Sequence, residues 1–392
     1  MSPPPRAQNR PSAEPTHRHR NRRLGAAPVL LWSLLVMPSL ANLGRLAPLV
    51  QQWRAASLYS HHGVTVPLAR TFYGVRWLDE LLADVVASFG LVQFHDQSRH
   101  YWHSLDFLAQ YGALYAILLL EASRAGWRSR LLPGTVAALT LAQLASGGVV
   151  LPVLFFFFIL HTGTRPHGLR GEHPPAPSAT SALAVLPTVL LVFYVPHLAA
   201  FLSPDLRARH WWNWLWQPFP VWGAALHSVL HGALQGLVPS LPARRTRVRW
   251  YTRLQAARLT AVCVALLTTG TYWYAVGASG SSWWRLYVPS QVLAPAEQPE
   301  AVMGTFLQFD CLSIFGSALT WLAWQLADLK AARVMTMSWT RVVALGAVCG
   351  VLCGPGTLCC VGWMAREELL AAAAAAAAAA GEEERIEGRK KS

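Results

Sequence analysis

Long apolar runs alternate with short polar segments along almost the whole chain. Nine such runs stand out, at 26–50, 77–94, 105–122, 136–160, 183–202, 219–238, 259–276, 302–329 and 342–364. Each has close to the roughly 20 residues that a helix needs to cross the core of a bilayer. The pattern therefore predicts an all-α protein, a polytopic integral membrane bundle with eight or nine transmembrane helices.

The composition supports a membrane protein. Of the residues, 53% are hydrophobic and only 13% are charged, which is too apolar for a soluble domain of this length. The net charge of +14 comes from short basic clusters between the apolar runs, so we expect the lipid bilayer as a partner and no nucleic acid. The distribution of Lys and Arg favours an N terminus in the cytosol, and the endoplasmic reticulum is the expected location.

Three segments follow from the same pattern. Residues 1–25 are rich in Pro and basic residues, which is typical of a disordered tail. Residues 26–364 form the predicted transmembrane helical domain. Residues 365–392 form a low-complexity tail with a polyalanine stretch followed by charged residues.

Carboxylates in or against the apolar runs are the sharpest chemical signal. An ionisable side chain in hydrocarbon costs about 2.5 to 3.5 kcal/mol by insertion scales, so each one is a functional candidate. The candidates are Asp79, Glu80, Asp106, Glu121 and Asp310. Asp79 and Glu80 could instead pair with Arg76 or cap their helix. Glu121 has a similar structural alternative in Arg124, three residues further on.

Histidines give a weaker signal. His227 and His231 are four residues apart and would project from one helix face, a spacing that suits a metal. The other clusters are His61-His62 and the segment 100–103, fewer than the several paired boxes of a di-iron membrane enzyme. The sequence also has no Walker loop and no glycine-rich dinucleotide fingerprint. We therefore expect no metal and no cofactor.

Aromatic residues are dense between 210 and 222, where five of the 13 residues are Trp. A belt at the membrane interface explains this segment. The alternative is a set of indole faces around a cationic intermediate, since a ring face attracts positive charge. The candidate substrate-binding residues are Tyr115, Trp212, Trp216, Trp321 and Trp324.

Several of these segments resemble a family of fungal integral membrane proteins that includes the membrane-bound terpene cyclases of ascofuranone-type and macrophorin-type meroterpenoid pathways. The segments lie at 72–81, 106–112, 121–124, 186–197, 211–213 and 216–222. The resemblance implies cyclisation of a farnesyl-type prenyl chain on an aromatic or quinone-like head group. Protonation of an epoxide or alkene would start the reaction, without a metal.

The leading hypothesis is therefore a membrane-embedded terpene cyclase. In an antiparallel pair of helices, Asp79 and Glu80 would lie at the same depth as Glu121, and Asp79 or Glu121 is the predicted proton donor. Asp310 is the next candidate, and Tyr115 and Trp321 would stabilise the carbocation. Two alternatives stay open: a transporter or receptor-like protein that uses the buried acids for protons or ligands, and a His-dependent membrane oxidoreductase.

Overall fold

A computed structural model of the chain describes residues 24–124, 128–162, 179–237, 246–289 and 297–391. These residues are mostly helical. The helices are α1 (Leu31–Leu43), α2 (Ala47–Ala56), α3 (Arg76–Gln93), α4 (Arg99–Ala122), α5 (Arg128–Ala145), α6 (Gly147–Thr162), α7 (Ala179–Val189), α8 (Val195–Leu202), α9 (Leu206–Trp216), α10 (Phe219–Leu237), α11 (Thr246–Ala278), α12 (Trp283–Tyr287), α13 (Pro299–Ala331), α14 (Trp339–Cys353) and α15 (Pro355–Lys391). Strands β1 (Leu58–His61) and β2 (Val64–Pro67) form one antiparallel hairpin between α2 and α3.

The described residues contain five helical stretches that are long and apolar enough to cross a membrane. They are Leu24–Ala56, Arg99–Ala122, Ala179–Leu202, Leu254–Ala278 and Pro299–Ala331. Further apolar helices, such as Leu132–Ala145 and Gly147–Leu160, fall short of the roughly 20 residues required. Membrane association is supported, but the predicted eight or nine spans are not confirmed, and nothing in these helices identifies the endoplasmic reticulum.

One predicted span fails for a local reason. The apolar run at 136–160 is not a single helix, because the chain breaks at Ser146, between the end of α5 and the start of α6. The break brings the side chain of Ser146 and the backbone of Gly148 to Asp310 of α13.

Helix α4 is the centre of the bundle. All of its residues except Arg99 and Trp102 are buried. The hydroxyl of Ser98 caps its first turn by accepting a hydrogen bond from the backbone N–H of His100 at 3.2 Å. Helices α3, α5, α7, α8, α11, α13 and α15 all pack around it. The polar side chains of α4 therefore face other helices rather than lipid or water.

The β-hairpin lies against the end of α3. Its two turn residues, His62 and Gly63, both have positive φ, +46° and +78°, as the favoured two-residue turn of a hairpin requires. The indole N–H of Trp53 in α2 donates to the backbone carbonyl of Ser60 at 3.0 Å. The buried ring of Tyr59 lies against Gly90 in α3, where an added Cβ would meet that ring at 2.8 Å. These contacts fix the position of the hairpin tip.

The two predicted tails differ in what the structure describes. Residues 1–23 and the side chains of the Arg244–Arg253 cluster, which carry much of the predicted orientation, lie outside the described residues. At the other end, α15 runs without a break from 355 to 391. The predicted boundary at 364 therefore falls inside a helix, and Arg366, just beyond it, is buried in the bundle.

Candidate functional site

A cavity of about 120 Å³ lies inside the bundle, between α1, α3, α4, α5, α9 and α13. Its wall is mostly apolar. The polar side chains that line it are Ser88, Tyr111, Gln143, Ser146, Trp216 and Asp310. A cavity of about 150 Å³ in another protein holds benzene, so this one has room for a group of the size of one ring. An apolar cavity with a few convergent polar groups is the usual form of a small-molecule site.

Two hydrogen-bond donors in this wall are buried, the hydroxyl of Tyr111 and the indole N–H of Trp216. The indole N–H finds no acceptor among the described residues, whereas the Tyr111 hydroxyl lies next to the side chain of Gln143, which also lines the cavity. A buried donor left unsatisfied costs about 1–3 kcal/mol. A ligand oxygen that accepts from the indole N–H would recover that cost.

Asp310 is the carboxylate of the cavity. Its Oδ1 accepts hydrogen bonds from the hydroxyl of Ser146 and, at 2.7 Å, from the backbone N–H of Gly148. An added Cβ at Gly148 would come within 2.9 Å of this oxygen, so a glycine is needed for the close approach. The break between α5 and α6 thus orients Asp310 in the wall.

A second buried acid, Asp106, ties helices together. It accepts from the hydroxyl of Tyr287 at 2.8 Å and from the side-chain amide of Gln110 at 3.0 Å. The same amide donates to the carbonyl of Thr268, and its oxygen accepts from the backbone N–H of Gly356. Burial, followed by the charge of Asp106, raises the pKa of Tyr287 well above its usual value, so the phenol keeps its proton and donates. Asp106 is not part of the cavity wall.

Glu121 lies in a closed ion network at the end of α4. Arg124 donates to both of its oxygens, at 2.8 and 2.7 Å. Arg366 and the indole N–H of Trp363 donate to Oε1 at 2.8 and 2.7 Å. Glu367 accepts from both arginines. With two guanidinium groups bound, Glu121 acts as an ionised acceptor.

The predicted cluster of Asp79, Glu80 and Glu121 is not formed. Asp79 is buried and accepts three backbone N–H groups of the loop before its own helix, those of residues 72, 73 and 74. Glu80 is exposed and pairs with Arg76 at 2.9 Å. The Glu80–Arg76 pair is one of the alternatives that the sequence offered, whereas Asp79 neither pairs with Arg76 nor caps the helix but holds the preceding loop. Each carboxylate is satisfied locally, so nothing draws the three together.

The predicted aromatic residues are dispersed in the same way. Trp216 lines the cavity, whereas Tyr115, Trp212, Trp321 and Trp324 are not in its wall. Trp321 is fully buried and stacks on Phe155 with ring centroids 5.3 Å apart. The side chain of Trp324 lies against Gly25. These rings pack helices against each other.

A cluster of histidines and one carboxylate lies beyond one end of the cavity. His61 and His62 at the hairpin tip point Nε2 at the two oxygens of Glu300, at 3.0 and 3.3 Å. The ligating atoms of these three residues all lie within 4.8 Å of one another. His95 is 5.6 Å from His61 between ring centroids, and its Nε2 is 2.8 Å from the hydroxyl of Tyr59. Burial, followed by the neighbouring histidines, lowers the pKa of His95.

Three helices lead from this cluster to the cavity. Helix α3 carries Phe89 in the cavity wall and ends shortly before His95. Helix α13 carries Glu300 in its first turn and Asp310 in the wall, ten residues or about 15 Å along the axis. Helix α4 runs beside them, and an added Cβ at Gly304 would overlap the ring of His100. The cluster therefore lies on the same helices as the cavity wall, with Glu300 about one turn before the wall residue Met303, and none of its residues lines the cavity.

Comparison with known proteins decides the family. A family model, the CtvD domain, matches residues 40–371. The chain belongs to the CtvD domain family. This match supports the prediction of a fungal family of secondary-metabolite biosynthesis. It does not support the narrower prediction of a terpene cyclase family. No solved structure matches the chain.

Three curated relatives are similar to the chain. It is 25% identical over 322 residues to the FAD-dependent monooxygenase verC1 of Penicillium polonicum. The aligned region covers 81% of this chain and 38% of verC1. It is 27% identical over 292 residues to the FAD-dependent monooxygenase anuJ of Penicillium roqueforti (strain FM164), 74% of this chain and 35% of anuJ. It is 24% identical over 239 residues to the FAD-dependent monooxygenase BOA8 of Botryotinia fuckeliana (strain B05.10), 59% of this chain and 29% of BOA8. The chain spans less than two fifths of the length of each.

These names contradict the predicted terpene cyclase. All three relatives are named as monooxygenases, which are oxidoreductases and not isomerases or cyclases. The alternative of a His-dependent membrane oxidoreductase fits them better. The relatives are enzymes of small-molecule metabolism, and this much agrees with the predicted class of partner.

The described residues do not fit FAD itself. Their strands form one two-stranded antiparallel hairpin, not the parallel strand–glycine turn–helix unit that binds a dinucleotide. A cavity of about 120 Å³ is also far too small for a flavin with its adenine nucleotide. The sequence signal that finds the other candidate, His61-His62, was visible, but Glu300 is 239 residues away and could not be paired with it.

Proposed function

We propose that the protein is a membrane oxidoreductase that acts on an apolar small molecule of fungal secondary metabolism. The observation that carries the proposal is the His61, His62 and Glu300 cluster, whose carboxylate lies on α13 about one turn before Met303 in the wall of the apolar cavity. The names of the three relatives supply the reaction class. The cavity would hold the reacting end of the substrate, and the cluster would lie next to it.

The wall of the cavity suggests what the substrate presents. Trp216 offers a donor without a partner and Tyr111 offers a second donor in the same wall, so an oxygen of the substrate would accept from both. Asp310, held by Ser146 and Gly148, would accept from a hydroxyl of the same molecule. A phenol or quinone ring carries such oxygens and has the size of the cavity. A prenylated aromatic or quinone-like molecule is therefore the specific substrate that we propose.

The test uses microsomes that contain the full chain, incubated in air with a reductant and a farnesylated hydroquinone. Mass spectrometry should detect a product with one added oxygen or two fewer hydrogens. Tyr111→Phe removes one of the two donors and should lower turnover roughly tenfold, the equivalent of about 1.4 kcal/mol of transition-state binding. Tyr115→Phe is the matched control, because Tyr115 lies one turn further along α4, is equally buried and is outside the cavity wall.

Equal losses in the two variants would remove the cavity from the proposal. A cyclised product of unchanged mass would contradict the oxidoreductase class altogether. The comparison of two tyrosines on one helix face separates binding in the cavity from a general loss of packing.

A second candidate rests on a different observation. The chain matches only 29–38% of each monooxygenase, and its described residues do not fit FAD. We therefore also consider that it holds a substrate in the membrane for a separate flavoprotein. In that case microsomes with this chain alone would be inactive, and addition of a flavin monooxygenase fraction would restore the product. Activity of the chain without any flavoprotein favours the first candidate.

A further inference from the structure

We propose that His61, His62 and Glu300 bind one divalent transition-metal ion beside the cavity. Two imidazole nitrogens and one carboxylate converge there, with all ligating atoms within 4.8 Å of one another. They come from the hairpin tip and the first turn of α13, 238 or more residues apart. The metal site stands on this geometry, and only its assignment to iron rests on the proposed oxidoreductase function.

The hairpin turn brings the two imidazoles together. Successive side chains in a strand point to opposite faces, so adjacent histidines would normally point apart. Here the ring centroids of His61 and His62 are 4.1 Å apart. His62 has a φ of +46°, in the left-handed region where His, with Asn and Asp, is among the residues other than Gly that are most often found. The turn therefore aims both rings at one point.

The donor set selects a class of metal. Imidazole suits Zn, Cu, Fe and Ni, and two histidines with one carboxylate and open positions are the ligands of non-haem Fe(II) oxygenases. His62 is 58% exposed at its side chain, against 13% for His61 and 24% for Glu300. The exposed side leaves room for further ligands of the ion. An Fe²⁺ ion at this place would give the protein a redox centre without flavin.

The side chains packed around the three candidate ligands also suit a metal. His95 packs edge-on against both rings, with interplanar angles of 89° and 85°, and so limits their movement. The hydroxyl of Tyr59 holds His95 in place. An ion pair alone is a weak reason for this arrangement, because partly exposed pairs contribute at most about 1 kcal/mol. Within the described residues, no other group of three or more His, Cys, Asp or Glu side chains brings its ligating atoms this close.

The experiment measures metal binding directly. The full chain is purified in lipid nanodiscs, stripped with chelator and titrated with Co²⁺, whose visible absorption reports its ligands; Fe²⁺ and Zn²⁺ are then tested as competitors. We expect one Co²⁺ per chain, displaced by either ion. Glu300→Gln should weaken binding by more than the roughly 10–100-fold that loss of an outer-shell partner causes. Glu297→Gln, an exposed acid three residues earlier, is the matched control and should bind as the wild type does.

His62→Asn provides a second variant that keeps the turn, because Asn readily adopts positive φ. It should also lose the stoichiometric Co²⁺ band while remaining monodisperse in size-exclusion chromatography. Absence of one-to-one binding in the folded wild type, or equal affinity in Glu300→Gln and Glu297→Gln, would overturn the metal site. Oxidation of the hydroquinone that persists in the metal-stripped protein would leave the proposed function standing and overturn only the redox role assigned to the metal. Metal binding without any oxidation would leave the metal site standing and overturn the proposed function.

Discussion

Two groups of ionisable side chains lie beside the two ends of α4. They differ in how far their side chains are buried and paired with one another. At the C-terminal end of α4, Glu121, Arg124, Arg366 and Glu367 are all buried and bind one another. Near its N-terminal end, His61, His62 and Glu300 converge from two elements but stay partly exposed. The first group is closed, with its charges neutralised inside the bundle. The second is open, with donor atoms directed at a point that an ion can reach.

The comparison teaches how to read buried charge in a membrane bundle. An ionisable residue in an apolar run is costly, but the cost alone does not separate structure from function. Glu121 looked like a proton donor because it interrupts an apolar run, yet two arginines neutralise it. The pair His61-His62 gave only a weak signal because the sequence has fewer paired histidine boxes than a di-iron membrane enzyme. Whether the donors and acceptors are already satisfied is the better criterion.

Removing a carboxylate from the buried ion network should have the largest effect on the free energy of unfolding. Glu121→Gln leaves Arg124 and Arg366 buried with fewer negative partners, and loss of one member of a buried ion group costs about 3–5 kcal/mol. We expect a loss of this size in the free energy of unfolding, measured by denaturant titration in nanodiscs. Glu300→Gln, in the open group, should cost about 1 kcal/mol or less in metal-free protein. Equal losses would show that both groups are structural.

A histidine with a satisfied nitrogen gives the second test. His210 in α9 accepts on Nε2 from the backbone N–H of Ala69 and from the indole N–H of Trp214, both at 3.1 Å. Burial lowers the pKa of His210 to about 4. The unfolded chain binds this proton near pH 6.5, so the stability that neutral His210 contributes is present above pH 6.5 and is lost as the pH falls towards 4.

Between pH 7 and pH 5 this group should therefore cost about 2 kcal/mol of unfolding free energy. His210→Gln should reduce the pH dependence by that amount, as read from unfolding curves at the two values. An unchanged pH dependence would mean that His210 is not kept neutral by these two donors. Such a result would weaken the distinction between a buried histidine whose Nε2 accepts hydrogen bonds and the partly exposed histidines of the hairpin.

The smallest effect should come from the hairpin turn. Asn-Gly is a favoured pair for a two-residue turn with positive φ, whereas His62 holds that conformation at a cost. We expect His62→Asn to raise the free energy of unfolding of the metal-free protein by about 0.5–1 kcal/mol, measured by thermal denaturation. A destabilised variant would show that the imidazole of His62 supports the fold and not a ligand.

The sequence predicted the parts of this molecule that depend on neighbours along the chain. Apolar runs gave most helices, and the spacing of Glu80 to Arg76 and of Glu121 to Arg124 offered the local partners that are observed. The break at Ser146 was missed because apolar residues continue on both sides of it, although the Ser-Gly-Gly segment at 146–148 is a turn signal. Its effect on Asp310 therefore needed the structure.

Contacts between distant segments could not be predicted. Arg366 was assigned to a low-complexity tail, so its pairing with Glu121 had no sequence signal. Glu300 has no partner near it in the sequence, and only the packing of the hairpin against the start of α13 brings it to His61 and His62. The site depends on tertiary convergence of this kind, which a periodic pattern does not encode.

The late position of Arg366 has a consequence for biosynthesis. Arg366 follows Glu121 by 245 residues, so the central helix enters the bilayer long before this counter-ion is translated. Until then, Glu121 has Arg124 but lacks the guanidinium and indole donors of α15. A chain terminated by a premature stop codon before residue 363 would never receive them. Quality control in the membrane would meet such a product as an unassembled bundle with a half-neutralised carboxylate at its centre.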